Sequence, residues 1–406
     1  MPSSYSKLFS DNFVGITCTD IVHPGQSCSQ FILKYITTDL IIGSLKFYFP
    51  VCLTSLLVNV KRWNQPKTWT DFLKLLTKCF VFAAIFSISI FGGLCLEYKI
   101  LKKFHYHLII WLPTFVGTFA SIILPPAIMK AESLAMFNFY IEYIIKSSNS
   151  EAVQKLKRSL LSGTVVFAAF NALVMCGMLK ARCPNFWFSK FKYSKDKEAT
   201  NICQKIHSNL TCTNYLIKEI KEASTFALGF CIIKSILTCL GKLNNGPMGV
   251  LKIFFKSFDF KLFSFIAGID GVFKTIFCLL NQKTSFSPLT NCGISSFLGG
   301  LTYAFFPRYE IFTLAISNAI ATFYQALVNC YEKEKKEMPI ILKGINKLPI
   351  YYLLIILSVP TLMHNRLFFP YNVNKTVSNF LRVGSNGKDR DVIYRGISTF
   401  FGYKIK

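Results

Sequence analysis

CSQFILKYI, residues Cys28–Ile36, recurs as CTNYLIKEI, residues Cys212–Ile220, and this recurrence decides how the chain is interpreted. Three of the nine positions are identical, and five more are close exchanges such as Ser for Thr or Phe for Tyr. The first copy begins at Cys28 and the second at Cys212, and each precedes a series of apolar segments. Recurrence at a fixed spacing is typical of duplicated structural units. We therefore predict two tandem copies of one helical unit.

The composition indicates a membrane protein. Of 406 residues, 52% are hydrophobic and 16% are charged, with 41 phenylalanines and a mean hydropathy of +0.41. Soluble chains are ordinarily about a quarter charged. Several stretches run roughly eighteen or more residues without a charge, which is enough to cross a hydrocarbon core about 30 Å thick. These properties predict an all-α, polytopic membrane helix bundle with about 8–10 transmembrane helices, built from two tandem repeats of four to five helices.

The charge and the cysteines narrow the expected environment. The net charge is +26, and the basic residues lie mostly between the apolar segments. This placement is typical of solvated loops that face water and anionic lipid head groups. No nucleic-acid motif is present, so the expected partner is the lipid bilayer and not nucleic acid. The fourteen cysteines are scattered and do not resemble a secreted disulfide framework, which favours an intracellular membrane. No nucleotide loop, catalytic triad or acid pair is visible, so neither enzymatic activity nor a cofactor is expected.

The order of segments predicts five regions. They are a Cys/His N-terminal segment (1–39), a first helical repeat (40–180), a basic linker with a second Cys/His segment (181–221), a second helical repeat (222–365) and a basic mobile tail (366–406). An alignment that places Gly117 on Gly299 also places Pro125 on Pro307. Shared apolar composition alone does not explain such matches. Five crossings in each repeat would make the repeats inverted, as in many secondary transporters, whereas four would make them parallel.

Two Cys/His segments are the most distinctive polar features. They contain Cys18, His23 and Cys28 in the first copy, and Cys203, His207 and Cys212 in the second. Thiolate and imidazole are zinc ligands, and a structural zinc site takes four ligands. Each segment supplies three, so a fourth would come from Cys183 or from the other segment. Three interpretations stay open: a metal site, packing at a helix start and the membrane surface, or a redox role. The sequence alone assigns no metal ligand.

Asp270 and Lys274 form a second candidate site. They are four residues apart in a predicted helix over 261–280 and therefore share one face. Charges at membrane depth are costly and usually face the bundle interior or an aqueous cavity. The pair is either a substrate or proton site or a structural pair that neutralises itself near the interface. In the alignment of the two repeats described above, Ile88 and Gly92 occupy these positions of the first repeat, so the charges are not part of the repeated pattern.

The first Cys/His segment also carries a resemblance. Cys18, His23-Pro24 and Cys28 are followed by SLKFYFP at residues 44–50. Together these motifs resemble the Cys-rich N-terminal signature of the transmembrane protein 135 family, and residues 203–220 and 263–324 resemble later parts of that family. The resemblance extends to about residue 365. It implies a multi-pass protein of peroxisomal or mitochondrial membranes, linked to lipid metabolism, peroxisome organisation and mitochondrial fission balance. It implies no catalytic or ligand residues.

Two functional hypotheses follow. The first is a membrane organiser that acts through protein or lipid partners, as the resemblance implies. The second is a transporter or channel for a small solute or lipid through the seam between the repeats, as the duplicated plan and the Asp270/Lys274 pair suggest. A continuous polar cavity at that seam would favour transport, and a dry, packed seam would favour the organiser.

Overall fold

A computed structural model describes residues 15–58, 62–181, 187–189, 211–240, 255–256, 258–333, 338–340, 343–344 and 350–401. Within these ranges the chain is α-helical and contains no β-strand, which confirms the predicted all-α class. The chain forms two compact units. The first unit combines Met1–Ser147 with Gly344–Lys406, and the second unit is Ser148–Lys343.

The helices are numbered along the chain. In the first part they are α1 (Cys18–Ile21), α2 (Cys28–Lys34), α3 (Ile41–Val58), α4 (Pro66–Leu101), α5 (Trp111–Thr118) and α6 (Pro126–Ser147). The second unit contains α7 (Glu151–Arg158), α8 (Leu160–Ala181), α9 (Cys212–Leu240), α10 (Phe260–Lys283), α11 (Pro288–Gly300) and α12 (Tyr309–Lys333). The chain then returns to the first unit with α13 (Ile350–Phe368), α14 (Lys375–Gly384) and α15 (Lys388–Phe401).

Six helical segments in the described ranges are long and apolar enough to cross a bilayer. They are Cys28–Leu53, Pro66–Leu101, Leu160–Lys180, Phe260–Lys283, Tyr309–Glu332 and Ile350–Phe368. The protein is therefore an integral, multi-pass membrane protein. The sequence predicts about 8–10 crossings, and helix α6 is one of the differences. It is long enough, but Lys130, Glu132, Glu142 and Lys146 interrupt its apolar run, and each charge at membrane depth is costly.

The repeated stretch at Cys28 is itself the start of a membrane span. The Ser27 side chain accepts a hydrogen bond from the Gln30 N–H, and the Gln30 side chain accepts one from the Ser27 N–H. This reciprocal capping satisfies two backbone donors and fixes the helix start. A π-helical segment, Tyr35–Leu40, then joins α2 to α3. The sequence predicts a loop and short helix up to residue 39, whereas the helical segment begins at Cys28 and continues through Pro50 to Val58.

Two later helices both continue as short 3₁₀-helices. Helix α5 continues as a 3₁₀-helix over Phe119–Ile123, and helix α11 continues as a 3₁₀-helix over Leu301–Phe305. Just before the change, Gly117 and Gly299 lie against neighbouring backbone. A Cβ at Gly117 would stand 3.2 Å from the carbonyl oxygen of Phe86, and one at Gly299 would stand 2.8 Å from that of Ile269. Glycine therefore allows close backbone approach, a common device in membrane helix packing.

Gly300 provides a test of this close packing in the second unit. A Cβ there would lie 2.6 Å from the Ala168 Cα on helix α8. We expect Gly300→Ala to destabilise the unit by about 1–3 kcal/mol, because the two backbones must separate. Gly293→Ala is the control on the same helix, since its Cβ would meet the Cys176 Sγ at an ordinary 3.5 Å. Thermal unfolding in detergent measures both, and equal stability of the two variants would contradict the expectation.

Two long helices, α8 and α13, do not belong to the units that the predicted repeats assign to them. Helix α8 packs against α11 and α12 in the second unit, and helix α13 packs against α5 and α6 in the first unit. The unit boundaries consequently fall at Ser147/Ser148 and Lys343/Gly344. They do not coincide with the predicted division at residues 181–221. The reason is that the apolar face of α8 is buried by helices that follow it in sequence, and not by those that precede it.

The C-terminal residues form packed helices where the sequence predicts a mobile tail. Helices α14 and α15 occupy most of residues 375–401, and Val377 and Val392 are buried in them. The Asn374 side chain caps α14 by accepting a hydrogen bond from the Thr376 N–H. Asp389 forms a buried ion pair with Arg366 of helix α13. A few well-placed apolar and charged contacts therefore anchor a segment whose average composition is polar.

Candidate metal centre

Four metal-binding side chains converge in the first unit. The ligand atoms of Cys18, His23, Cys28 and Cys95 all lie within 4.8 Å of one another. The Cys18 and Cys28 Sγ atoms are 3.5 Å apart, and the Cys95 Sγ lies 3.3 Å from the His23 Nε2. Zinc bound tetrahedrally at about 2.3 Å from each sulfur places its ligand atoms about 3.8 Å apart. The spacing and the Cys₃His donor set both fit a zinc ion.

The His23 ring is oriented by its own backbone neighbourhood. Its Nδ1 lies 2.9 Å from the carbonyl oxygen of Gln26. Because a carbonyl oxygen only accepts hydrogen bonds, Nδ1 carries the proton and donates it. In the neutral ring Nε2 then keeps its lone pair for a metal ion. A carbonyl that fixes the ring in this way is the usual outer-shell partner of a metal-binding histidine.

Short local structures bring the first three ligands together. Cys18 opens helix α1, where Thr17 and Asp20 exchange hydrogen bonds at the helix start. Between His23 and Cys28 the chain turns back at Gly25, which has a φ of +68°. That left-handed conformation is easy only for glycine. The loop therefore folds His23 and Cys28 onto Cys18 with little strain.

The fourth ligand comes from a long membrane helix. Cys95 lies near the end of α4, which terminates at Lys102 in the left-handed conformation. The cluster is surrounded by buried apolar side chains, including Phe31 and Phe91. The His23 and Phe31 ring centroids are 5.3 Å apart. Burial and the nearby Cys28 thiol raise the pKa of Cys18 to about 11. Burial disfavours the charged thiolate, and a bound metal ion would stabilise it. Metal binding would therefore release the thiol protons.

Helix α15 is tied to the same segment through Arg395. Its Nε donates to the carbonyl oxygen of Ile21 at 2.8 Å, and its Nη2 donates to that of Val22 at 3.1 Å. These carbonyls immediately precede His23. The side chains of Ile21, Val22 and Val392 belong to the same buried cluster as Cys18. The C-terminal helix therefore holds the backbone that presents the histidine ligand.

Loss of the Arg395 hydrogen bonds is expected to loosen the docking of α15 on residues 18–23. We expect Arg395→Ala to destabilise the docking of α15 by about 1.5–3 kcal/mol, since two hydrogen bonds from a charged group are lost. Faster hydrogen exchange in 388–401 and in 18–23 measures this effect. Arg390→Ala is the matched control, because its guanidinium lies over the ring of Tyr394 within the same helix. Unchanged exchange at residues 18–23 in Arg395→Ala would contradict the expectation.

The predicted Cys/His residues have different outcomes. Cys18, His23 and Cys28 come together, and their fourth partner is Cys95. Cys95 lies inside an apolar run of the sequence, where a cysteine is usually a small buried hydrophobe. Cys203, His207 and Cys183 lie outside the described residues. Cys212 is half-buried at the start of α9.

The predicted Asp270/Lys274 pair belongs to a larger cluster in the second unit. The Lys274 Nζ donates to the Asp270 Oδ2 at 2.7 Å and to the Glu219 Oε2 at 2.5 Å. The Ser189 Oγ donates to the Asp270 Oδ1 at 2.5 Å. All four residues are buried. Lys274 therefore joins helix α10 to helix α9. Glu219 was not among the predicted site residues, although it lies in the repeated stretch.

No protein-family model, curated protein or solved structure matches this chain. The fold and the site therefore define its class by themselves. It is an integral, multi-pass, α-helical membrane protein with a largely buried Cys₃His cluster at the start of the membrane segment Cys28–Leu53.

Proposed function

We propose that the first unit binds a structural zinc ion and that the protein is a non-enzymatic organiser of an organelle membrane. The observation that carries the zinc proposal is the convergence of four ligand atoms within 4.8 Å. A site closed by four protein ligands has no open position for substrate, which is the arrangement of structural zinc centres. Three of the side chains, Cys18, His23 and Cys95, are buried. Zinc here joins the N-terminal segment to the end of α4.

Zinc at this position contributes directly to folding. The ligands Cys18, His23 and Cys28 lie within an eleven-residue segment with one short helix, α1. Fixing the backbone of such a segment costs about 1–2 kcal/mol per residue in conformational entropy. Zinc supplies binding free energy that becomes folding free energy. It thereby places α1 where helix α15 docks.

We also infer an internal duplication, which supports treating the two Cys/His segments as counterparts. When Cys95 is aligned with Cys278, helix α4 falls on helix α10. Buried positions of α4 then fall on buried positions of α10. The matched pairs are Cys79/Leu262, Phe82/Phe265, Ile90/Phe273, Phe91/Lys274, Leu94/Phe277 and Cys95/Cys278. The backbone partners of Gly117 and Gly299, which are Phe86 and Ile269, are also paired in this alignment.

This alignment of α4 with α10 relates the charged cluster to an apolar one. It is shifted by one residue from the alignment that pairs Gly117 with Gly299, so Lys274 now corresponds to Phe91 and not to Gly92. Glu219 corresponds to Tyr35 at the offset of the repeated stretch. The rings of Tyr35 and Phe91 pack with centroids 4.8 Å apart in the first unit. In the second unit Glu219 and Lys274 form an ion pair. We infer that the two repeats share one contact between helices, which is made by aromatic rings in the first copy and by an ion pair in the second.

The cellular role of the proposal rests on the resemblance to the transmembrane protein 135 family. On that basis the protein belongs to peroxisomal or mitochondrial membranes and acts in peroxisome organisation, mitochondrial dynamics and lipid metabolism. Its partners would be lipids or other membrane proteins. A closed zinc centre is consistent with this role, because it stabilises a membrane scaffold without performing a reaction.

Imaging of the tagged protein tests the role and the centre together. The wild-type chain is expected to coincide with peroxisomal or mitochondrial markers. Cys28→Ser is expected to lower its abundance severalfold, because loss of a zinc ligand unfolds the N-terminal segment. Cys330→Ser is the control, since Cys330 lies in α12 of the second unit. Localisation to another membrane would contradict the organelle assignment, and normal abundance of Cys28→Ser would contradict the structural zinc.

The alternative function, transport of a small solute or lipid, is favoured by the buried Lys274 cluster. Buried charges within membrane helices commonly mark ion or substrate pathways. In reconstituted vesicles, Asp270→Asn would then abolish flux while leaving localisation and stability intact. An unchanged flux, or no flux in the wild-type chain, would argue against transport.

A further inference from the structure

The first unit contains a cavity that the zinc centre does not use. Its volume is about 180 Å³, and most of its lining comes from helices α3, α4, α6, α13 and α14, with single residues from α5 and α15. Its walls are mostly aromatic and aliphatic, with Phe82, Phe86, Leu362 and Val377 among them. An engineered protein cavity of about 150 Å³ binds benzene. The space therefore suits part of one hydrocarbon chain and is too small for a two-chain phospholipid.

One end of the cavity carries an unmatched hydroxyl group. Ser44 is 2% exposed, and its Oγ has no hydrogen-bond partner among the described residues. A buried polar group without a partner costs about 1–3 kcal/mol. The preceding residue, Gly43, lies against the carbonyl oxygen of Gly384. Ser385, which follows Gly384, also lines the cavity, so Ser44 and Ser385 lie at the same end.

The charged residues at the cavity select against anions. Glu132 and Asp389 both line it, and none of its described lining residues is Lys, Arg or His. Asp389 is already paired with Arg366 and accepts a hydrogen bond from the Ser385 Oγ at 2.8 Å. A phosphate or carboxylate head group would find no cation in this lining to pair with, which is strongly unfavourable for a buried charge. A neutral head group that carries hydroxyls can donate to these acceptors.

We propose that this cavity binds a single-chain lipid with an uncharged hydroxyl head group, such as a monoacylglycerol. The chain lies between α4 and α13, and a head-group hydroxyl bonds to the Ser44 Oγ. The ligand site involves residues of α3, α13 and α14 and no zinc ligand. It therefore goes beyond the proposed function, and failure of either proposal leaves the other standing.

Photolabelling of the purified full-length protein tests the proposal. The probe is a monoacylglycerol with a diazirine in its acyl chain. We expect labelled peptides from α3, α4 or α13, and unlabelled monoacylglycerol is expected to compete at least tenfold better than lysophosphatidate of the same chain length. Equal competition by the two lipids, or labelling confined to the outer surface, would overturn the proposal.

Two variants locate the site, and a third is the matched control. Ser44→Ala is expected to weaken labelling about five- to tenfold, the effect of one hydrogen bond, and it removes no hydrogen bond within the described part of the protein. Ala135→Phe fills the cavity and is expected to abolish labelling. Ala169→Phe is the control, because Ala169 is exposed on α8 in the second unit. Wild-type labelling of Ser44→Ala would overturn the proposal even if Ala135→Phe failed to fold.

Discussion

Cys95→Ser is expected to abolish tight zinc binding at the first Cys/His segment. Three ligands remain, and serine is a poor zinc ligand at neutral pH because its hydroxyl stays protonated. Loss of an outer-shell partner alone costs about 10–100-fold in metal affinity, so loss of a direct ligand should exceed that. Elemental analysis of purified protein measures the effect as the loss of about one zinc per chain. Hydrogen exchange should rise at residues 15–28.

Cys79→Ser is the matched control for this change. Cys79 is buried on the same helix, α4, but its nearest thiol is that of Cys52, at 4.0 Å, and it is not part of the cluster. The control should keep its zinc and its exchange pattern at residues 15–28. If Cys95→Ser retained as much zinc as Cys79→Ser, Cys95 would not be a ligand.

The zinc assignment has a direct competitor in oxidation. The Cys18 and Cys28 sulfurs are 3.5 Å apart, and a small movement would allow a disulfide of about 2.05 Å. Zinc-bound thiolates are expected to resist alkylation until a chelator is added. Mass analysis of protein purified without reductant therefore separates the two states. A Cys18–Cys28 disulfide in untreated protein would contradict zinc binding.

The helical fold was predictable because lipid imposes one dominant rule. Each backbone polar group must be satisfied within its segment, so long uncharged stretches become helices. The sequence therefore predicts a helix over 261–280, close to the observed bounds of α10, Phe260–Lys283. It does not predict which helix packs against which. The placement of α8 in the second unit and of α13 in the first depends on side-chain complementarity between distant segments, and helix periodicity does not carry that information.

The candidate site was predictable only in part, for a related reason. Cys18, His23 and Cys28 are close in sequence, so their spacing alone suggests a cluster. Cys95 lies far beyond Cys28 in sequence, inside an apolar run. There it has the appearance of an ordinary buried thiol. The position of Cys95 beside the loop of residues 22–27 depends on how α4 packs against the N-terminal segment. Local sequence patterns do not contain that information.

The C-terminal helices show how average composition can mislead. Residues 366–406 are polar and basic on average, which is typical of mobile segments. The apolar residues of α14 and α15 are nevertheless placed on one face, where Val377 and Val392 become buried. Arg395 adds hydrogen bonds to the backbone before His23. The helical periodicity of apolar residues within this segment, and not its average composition, indicates the amphipathic helices.

Lys274→Met is expected to give the largest loss of stability in the second unit. The Lys274 ammonium bridges two carboxylates, and the exposed side-chain fractions are 9% for Lys274, 8% for Asp270 and 4% for Glu219. Removal of the cation leaves two carboxylates facing each other in a buried site. Breaking a buried ion pair from one side costs about 3–5 kcal/mol. For a unit of this size that corresponds to a decrease of about 6–20 °C in melting temperature.

Two comparisons separate this effect from a general loss of charge. Lys261→Met changes an exposed lysine on the same helix, α10, and should alter the melting temperature little. Combining Lys274→Met with Asp270→Asn and Glu219→Gln removes the uncompensated charges and should recover much of the lost stability. Thermal unfolding in detergent, followed by tryptophan fluorescence, compares all of them. If Lys274→Met and Lys261→Met unfolded at the same temperature, the bridge between α9 and α10 would contribute no net stability. The inference that the Glu219–Lys274 and Tyr35–Phe91 contacts have the same structural role would then be wrong.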